Sequence, residues 1–202
     1  MSNLLTILVG PTCSGKTTLI NALLKTQSNL HTITTATTRP PREGETNGLD
    51  YYFLTEKEFK AKLKAGEFLE TEQIHGKHWY GSPKAEVDNK LERGNCVMAL
   101  GVLGAQVVKS KYPNAITIFL SSTEDEVRSR LIARKTDEDE MRVRLASMQK
   151  EKYMQQFCDY AIKNKSQVQT YFETLSIINK HCLKLPGAGK IETPNQRTQS
   201  KQ

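Results

Sequence analysis

The sequence predicts an α/β fold in which a central parallel β-sheet is flanked by helices. An apolar run over residues 4–9 precedes a glycine-bearing loop and then apolar residues at helical spacing over 17–25, which indicates a strand, a turn and a helix. Two further apolar runs, 96–100 and 115–120, have the continuous hydrophobic character of strands that are buried on both faces. Alternation of such strands with helices is typical of α/β domains.

The elements between these strands follow in order. Residues 35–55 are polar, threonine-rich and punctuated by proline and glycine, and they predict an insertion of short strands and loops. The pattern predicts an amphipathic helix over 56–64, a strand and turn region over 68–79, and a helix over 84–93. A crossover helix over 105–111 would then connect the two central strands.

The C-terminal third predicts a charged helical hairpin, a last strand and a closing helix. Thr123 with Glu126, and Asp137 with Glu140, have the spacing of capping boxes, which begin helices. The strand is predicted over 160–162, and apolar residues at helical spacing over 168–178 predict the closing helix. Residues 184–202 lack periodic apolar residues and carry a local charge of +3, so they predict a disordered basic tail.

Composition and charge restrict the class of protein and its partners. The chain has 202 residues, 37% hydrophobic and 25% charged, as expected for one soluble globular domain. No apolar run is long enough to span a bilayer, and no basic region precedes the first apolar run, so we expect a cytoplasmic location. The four cysteines lack metal-binding spacing and are expected to be reduced. The net charge of +7 suggests an anionic partner: nucleic acid, membrane surface, nucleotide or phosphate.

A phosphate-binding motif follows the first strand. Residues 10–17, GPTCSGKT, match the pattern G-x-x-x-x-G-K-S/T between a predicted strand and a predicted helix. Backbone N–H groups of such a loop surround nucleotide phosphates, Lys16 neutralises them, and Thr17 is placed to ligate Mg²⁺. Cys13 is interpreted either as a sensitive thiol in a positive environment or as a small loop filler. The predicted nucleotide-binding residues are Gly10, Pro11, Thr12, Cys13, Ser14, Gly15, Lys16, Thr17 and Thr18.

A second basic segment, TTATTRPPREGETNGLDYYF at residues 34–53, predicts a second phosphate site. Arg39 and Arg42 flank two prolines that stiffen the backbone, so both guanidinium groups are expected to point to a fixed place. A solvated basic loop would not require the glycines, acidic residues and aromatics that follow in this order.

These motifs together resemble the guanylate kinase family of nucleoside monophosphate kinases. The family's acceptor-site signature, T-T-R-x-x-R-x-G-E-x-x-G-x-D-Y-x-F, fits residues 37–53 at every specified position. Family order is also kept by GEFLE at 66–70, YGSP at 80–83, RLIAR at 130–134, RVRL at 142–145 and DYAIKN at 159–164. The resemblance covers residues 4–183 and implies a P-loop kinase fold with an inserted acceptor-binding lobe, about 35–95, and a helical lid, about 123–148.

The resemblance implies phosphoryl transfer from ATP, with Mg²⁺, to GMP or dGMP. The resemblance implies that the acceptor phosphate is bound by Arg39, Arg42, Tyr51 and Tyr80. It implies that the guanine base is bound by Thr35, Glu70 and Ser82. The implied catalytic residues are Lys16, Arg39, Arg130, Arg134 and Arg144. Arg142 could substitute for one of the lid arginines, and the alternative for all of them is a solvated helix face that pairs with Glu138 and Glu140.

One departure from the family pattern leaves alternatives open. The family's Asp-x-Asp-x-Gln-Gly segment corresponds to residues 99–104, ALGVLG, in which both carboxylates are missing. The chain is therefore interpreted as an active guanylate kinase, as a kinase of the same fold for another or modified deoxynucleotide, or as a catalytically weak binding module. Small nucleotides are the expected partners, nucleic acid and membrane are not, and a monomer or homodimer is expected.

Overall fold

A computed structural model of the chain describes residues 3–74 and 76–183. It confirms the predicted α/β fold: a five-stranded parallel sheet has helices on both faces, and a second, four-stranded sheet is inserted in the chain. The predicted disordered tail, residues 184–202, lies outside the described residues.

The elements follow one another in the predicted order. The strands are β1 (Leu5–Val9), β2 (Leu30–Thr32), β3 (Ala36–Thr37), β4 (Tyr52–Phe53), β5 (Phe68–Ile74), β6 (His78–Pro83), β7 (Asn95–Ala99), β8 (Ile116–Ser121) and β9 (Tyr160–Lys163). The helices are α1 (Lys16–Thr26), α2 (Glu56–Lys64), α3 (Lys84–Arg93), α4 (Val102–Lys111), α5 (Glu124–Ala133), α6 (Glu138–Tyr153) and α7 (Gln167–Cys182), and a 3₁₀ turn, Met154–Phe157, follows α6.

The large sheet has the strand order β2-β7-β1-β8-β9, and each neighbouring pair is parallel. All five residues of the central strand β1 are buried. On one face Leu8 packs with apolar residues of α1 and α7, and on the other face Ile7 packs with those of α3 and α4. Because the strands are parallel, the loops after β1, β7 and β8 all leave from the same edge of the sheet, where ligands bind in open α/β folds.

The small sheet has the strand order β4-β3-β6-β5. Its main unit is the antiparallel hairpin β5–β6, so the strand and turn region predicted over 68–79 is two strands joined by a turn. Helix α2 covers the sheet with Phe59, whose ring stacks on Phe68 at 4.6 Å between centroids. This small separate core fixes the sheet as a platform beside the large one.

Two elements differ from the sequence prediction. The edge strand β2 was not predicted, because it has only three residues and His31 and Thr32 interrupt its apolar character. Helix α4 begins at Val102, three residues earlier than predicted, with the extended backbone of Gly101 as its N-cap. No helix among the described residues is long and apolar enough to cross a membrane.

Candidate active site

The phosphate loop joins the carboxyl end of β1 to the first turn of α1. Gly10 and Gly15 have φ angles of 142° and 99°, a region that glycine adopts without the strain a side chain would cause. An added Cβ atom would lie 2.4 Å from the carbonyl oxygen of Leu120 at Gly10, and 2.3 Å from Nδ2 of Asn164 at Gly15. Both glycines are therefore required for backbone conformation and for space.

Lys16 is the first residue of α1, and its side chain folds back over the loop. Its Nζ donates hydrogen bonds to the carbonyl oxygens of Gly10, at 2.6 Å, and Pro11, at 2.9 Å. Burial lowers the pKa of Lys16 to about 8, although the charge of Glu151 opposes this shift. An anion near Nζ would stabilise the protonated amine, so this position favours a negatively charged ligand.

The loop presents further hydrogen-bond donors that the protein does not satisfy. Gly15 caps α1 without a side-chain hydrogen bond, which leaves the first N–H groups of the helix open. Ser14 Oγ is buried and has no hydrogen-bond partner among the described residues. Donors of this kind at a helix N-terminus are typical of phosphate sites. Pro11 and Cys13 of the predicted set are buried parts of the loop, and Thr12 is half-buried.

Two side chains from distant elements hold the loop from outside. Nη1 of Arg130, on α5, donates to the carbonyl oxygen of Cys13 at 2.7 Å. Nδ2 of Asn164, just after β9, donates to the carbonyl oxygen of Ser14 at 2.7 Å, and Thr170 donates to Oδ1 of Asn164. Sequence reasoning did not single out Asn164 as a site residue, although it ends the DYAIKN motif.

A cavity of about 330 Å³ adjoins the loop between α1, the end of α5 and α7. Its walls are both apolar and polar, as expected for a site that receives a nucleotide base and sugar. The lining residues outside the loop are Thr18, Leu19, Ala22, Arg130, Ala133, Arg134, Asn164, Gln167 and Thr170. The cavity and the loop together have the dimensions and the donors for a nucleotide with its phosphate chain.

The first turn of α1 also carries the predicted metal ligand. Thr17 is exposed beside Lys16, and its hydroxyl is a hard oxygen donor. Mg²⁺ in nucleotide sites keeps several waters and takes one or two protein oxygens plus phosphate oxygens, which this position fits. In residues 3–74 and 76–183, no group of three His, Cys, Asp or Glu side chains could hold a metal ion. The Thr17 hydroxyl, a single hard oxygen donor, fits a magnesium ion that is held mainly by a bound nucleotide.

Arg39 lies beside the small sheet and is held in one orientation. Its Nη1 and Nη2 donate to the two carboxylate oxygens of Glu45, each at 2.9 Å, and its guanidinium lies over the ring of Tyr51. Burial disfavours the charged form of Arg39, but the bonds to Glu45 prevail and its pKa is raised. Tyr80 also contacts Arg39, and its ring meets that of Tyr51 edge to face. Arg42 is exposed and its backbone N–H donates to Glu45, and the charges of both arginines act to lower the pKa values of Glu45 and Tyr51.

The half-buried Glu70 and the buried Ser82 form a polar pair on the hairpin β5–β6. Ser82 Oγ donates to Oε1 of Glu70 at 2.6 Å. Burial raises the pKa of Glu70, while the bond from Ser82 and the charge of Lys111 act in the opposite sense. A half-buried carboxylate with lone pairs left open is suited to accept N–H groups from a ligand. Thr35, half-buried just before β3, completes the predicted acceptor set.

The predicted lid arginines differ in their environments. Arg130 donates a hydrogen bond to the phosphate loop. Arg134 is exposed at the end of α5, and its charge acts to lower the pKa of Lys16. Arg144, on α6, has a side chain only 13% exposed and is paired with Glu140. Arg142 is 77% exposed and makes only long ion pairs with residues of its own helix. The pairs with Glu138 and Glu140 that the solvated-face alternative predicts are both present, but only the Arg142 pair is solvated, since the Arg144 side chain is half-buried.

The two halves of the site meet at Glu151, near the end of α6. Its negative charge raises the pKa of Lys16 in the phosphate loop and also that of Glu72 on β5. Glu72 was not singled out from the sequence, and its carboxylate lies directly beside Gly101. The charge of Glu151 thus acts on both the phosphate loop and the carboxylates of β5, which lie next to the segment that lacks the family's two aspartates.

Comparisons with known proteins give one consistent result. The guanylate kinase family model matches residues 2–181. A guanylate kinase of Helicobacter pylori is 39% identical over 164 residues, which are 80% of this chain and 79% of that protein. A guanylate kinase of Bacteroides thetaiotaomicron is 38% identical over 184 residues, 89% of this chain and 90% of that protein. The crystal structure of guanylate kinase from Anaplasma phagocytophilum superimposes with a TM-score of 0.73 at 24% identity, over 89% of this chain and 86% of that one, and shows the shared fold.

Proposed function

The chain belongs to the guanylate kinase family and is an ATP-dependent kinase of GMP, and from that premise we propose which of its residues perform the reaction. The phosphate loop and the adjoining cavity bind ATP, and the small sheet binds GMP. The observation that carries this assignment is the half-buried Glu70, whose raised pKa and bond from Ser82 indicate a carboxylate that N–H donors of a ligand would stabilise. Guanine offers such donors at N1 and at its 2-amino group, whereas adenine has no N1–H or 2-amino group.

On the donor side, Lys16 and the N–H groups of the loop hold the ATP phosphates. Two backbone carbonyl oxygens hold Lys16 Nζ, and ATP phosphate oxygens would replace them without a large rearrangement of the aliphatic part of the side chain. Thr17 would hold Mg²⁺ together with phosphate oxygens, and the ion would neutralise charge on the transferred phosphate group. Arg130 keeps the loop in shape through the carbonyl of Cys13.

On the acceptor side, Arg39, Arg42, Tyr51 and Tyr80 bind the GMP phosphate. Glu45 orients the Arg39 guanidinium, and the ring of Tyr51 supports one of its faces. The phosphate of GMP is already ionised near neutral pH, so the reaction requires alignment and charge stabilisation more than a general base. Arg42 is exposed, and its charge acts on Glu45 and Tyr51 beside Arg39, which supports its assignment to the same phosphate.

Arg134 and Arg144 stabilise the charge that develops on the transferred phosphate group. Both belong to the segment of α5 and α6 that borders the cleft, and Arg144 is already half-buried there. Movement of this segment toward the phosphate loop would exclude water from the donor phosphate.

We also propose dGMP as a second acceptor. The cytoplasmic location and the monomeric or homodimeric state remain predictions from the sequence.

The assignment is tested by turnover. The purified chain is incubated with Mg²⁺ and ATP and with GMP, dGMP, AMP, CMP or UMP, and ADP release is followed. We expect turnover with GMP and dGMP, and at least about a hundredfold lower kcat/KM with AMP. Comparable turnover of AMP and GMP would contradict the role of the Glu70 pocket.

A further inference from the structure

Glu72 lies on β5, two residues after Glu70, and fills the space beside Gly101. A Cβ atom added at Gly101 would lie 2.2 Å from Oε2 of Glu72, and one added at Gly104 would lie 2.7 Å from Oε2 of Glu70. The two glycines belong to the N-cap and first turn of α4. Two carboxylates of one strand therefore lie side by side against the start of this helix.

The two carboxylates are neighbours because of the strand and the helix together. Glu70 and Glu72 are two residues apart on β5. One Oε2 atom of each lies beside a glycine at the start of α4, at the N-cap for Glu72 and in the first turn for Glu70. The absence of a side chain at both glycines is what allows the pair to approach the helix.

Glu72 has an environment that a ligand would improve. It is half-buried and accepts no hydrogen bond from any residue in the part of the chain that the structure describes. Burial raises its pKa, the charge of Glu151 raises it further, and Lys150 acts in the opposite sense. A half-buried carboxylate without a donor, beside a second carboxylate, is unfavourable in the ligand-free protein and is stabilised by N–H groups from a ligand.

Guanine has three N–H hydrogens on one edge, and Glu70 can accept only two of them in a paired arrangement. These are the N1 hydrogen and one hydrogen of the 2-amino group, which leaves the second amino hydrogen open. Two oxygens that accept from the same amino group at normal hydrogen-bond lengths are about 5 Å apart. Glu70 and Glu72, which both lie beside the start of α4, are the two carboxylates of β5 that are placed to share one amino group in this way.

We propose that Glu72 accepts the second hydrogen of the guanine 2-amino group, and that Gly101 is required because a side chain there would displace this carboxylate. The proposal rests on the proposed function, since it places GMP against Glu70. It makes Glu72 a specificity-determining residue, which distinguishes purines that carry a 2-amino group from those that lack it. It also gives a position for a carboxylate in the segment where the family's aspartates are missing.

The test compares GMP with IMP, which differs from GMP only by the absence of the 2-amino group. For the Glu72→Ala variant we expect kcat/KM for GMP to fall about tenfold, mainly through KM, and that for IMP to change less than about twofold. Gly101→Ala should give the same pattern. Glu67→Gln, an exposed carboxylate just before β5 that is paired with Lys62, is the matched control and should change neither acceptor.

A rescue variant separates recognition from folding. Gly101 has φ −67° and ψ 163°, which any residue can adopt, and aspartate is a favourable N-cap residue. Glu72→Ala combined with Gly101→Asp returns a carboxylate to the same place, so the GMP to IMP ratio should recover. The thermal midpoint of Glu72→Ala should not fall below that of the unmodified chain, because the change removes a half-buried unpartnered charge.

Three results would overturn the proposal. Equal losses for GMP and IMP would show that Glu72 acts only on the shape of the site. A loss for GMP and IMP that is absent for dGMP would place Glu72 at the ribose hydroxyl instead. Failure of the double variant to recover the GMP to IMP ratio would also contradict it. Absence of GMP turnover in the unmodified chain is a different outcome, because it contradicts the proposed function itself.

Discussion

Asn164, just after β9, donates a hydrogen bond from its side-chain amide to the carbonyl oxygen of Ser14 in the phosphate loop, at 2.7 Å. The same Nδ2 atom occupies the space that a side chain at Gly15 would need. Since Thr170 in turn donates to Oδ1 of Asn164, the amide is fixed on both sides. The phosphate loop is thus held by a residue that lies 150 positions away from Ser14 in the sequence.

Removing this support should weaken ATP binding. Asn164→Ala leaves the buried Ser14 carbonyl and the Thr170 hydroxyl without their partner, which should lower the free energy of unfolding by about 1–3 kcal/mol. We expect KM for ATP to rise, with KM for GMP little changed, in steady-state assays. Asn89→Ala, on the exposed face of α3, is the control and should behave like the unmodified chain. An unchanged KM for ATP in Asn164→Ala would contradict this role.

Affinity for ATP should depend on pH through Lys16. Its pKa is about 8 in the ligand-free protein because of burial, and the ATP phosphates should raise it. Above pH 8 Lys16 is mostly deprotonated in the free protein, so Lys16 must take up a proton when ATP binds. The Kd for ATP should therefore rise by up to about tenfold per pH unit. Calorimetry at pH 8.5–9, in buffers of different ionisation enthalpy, should detect proton uptake. Lys16→Met should abolish both the uptake and turnover, and uptake that persists in this variant would assign it to another group.

Glu45 should act on acceptor binding through Arg39. Glu45→Ala removes both bonds that orient the guanidinium and also the bond to the backbone of Arg42. We expect KM for GMP to rise about tenfold, with a similar rise for dGMP and IMP, because the phosphate and not the base is affected. Glu43→Ala, exposed in the same loop, provides the comparison. A change in the GMP to IMP ratio would show that Glu45 acts on the base instead.

Alanine substitutions of Arg144 and Arg142, two neighbouring arginines of α6, should have very different effects on kcat. Arg144 is 13% exposed and paired with Glu140, whereas Arg142 is 77% exposed. Arg144→Ala should lower kcat by about 10²–10³, as expected when a group that stabilises transition-state charge is removed. Arg142→Ala should remain within about twofold of the unmodified chain, since its ion pairs are solvated. Equal effects in single-turnover experiments would mean that the observed side-chain environments do not persist in the closed state.

Local sequence motifs predicted the parts of the site whose residues are adjacent in the chain. The motif at residues 10–17 and its position between a predicted strand and a predicted helix were sufficient to single out Lys16 and the two glycines. Helices with capping boxes were also predicted closely, since Thr123 and Glu126 signal the start of α5 by short-range chemistry. The strand β2 was missed because an edge strand of three residues has no periodic signal.

Contacts between distant segments could not be predicted in this way. Asn164 meets Ser14 only because β8 and β9 are added in parallel beside β1. Glu72 became visible as a site residue only when α4 placed Gly101 against it. That both guanidinium groups point to one place stays a prediction, since Glu45 holds Arg39 while Arg42 is exposed. The two prolines restrict the backbone of this segment, whereas the contacts of each side chain determine its orientation.

Selection of guanine by the half-buried Glu70 is tested most directly by the ratio of kcat/KM for GMP to that for AMP in Glu70→Gln. The new amide cannot accept both hydrogens of guanine, and it can donate to N1 of adenine. We predict that the ratio falls by about a hundredfold or more, while the melting temperature does not decrease, since a half-buried charge is removed. If kcat/KM for GMP and AMP fall by the same factor and the ratio stays as in the unmodified chain, then Glu70 does not read the base.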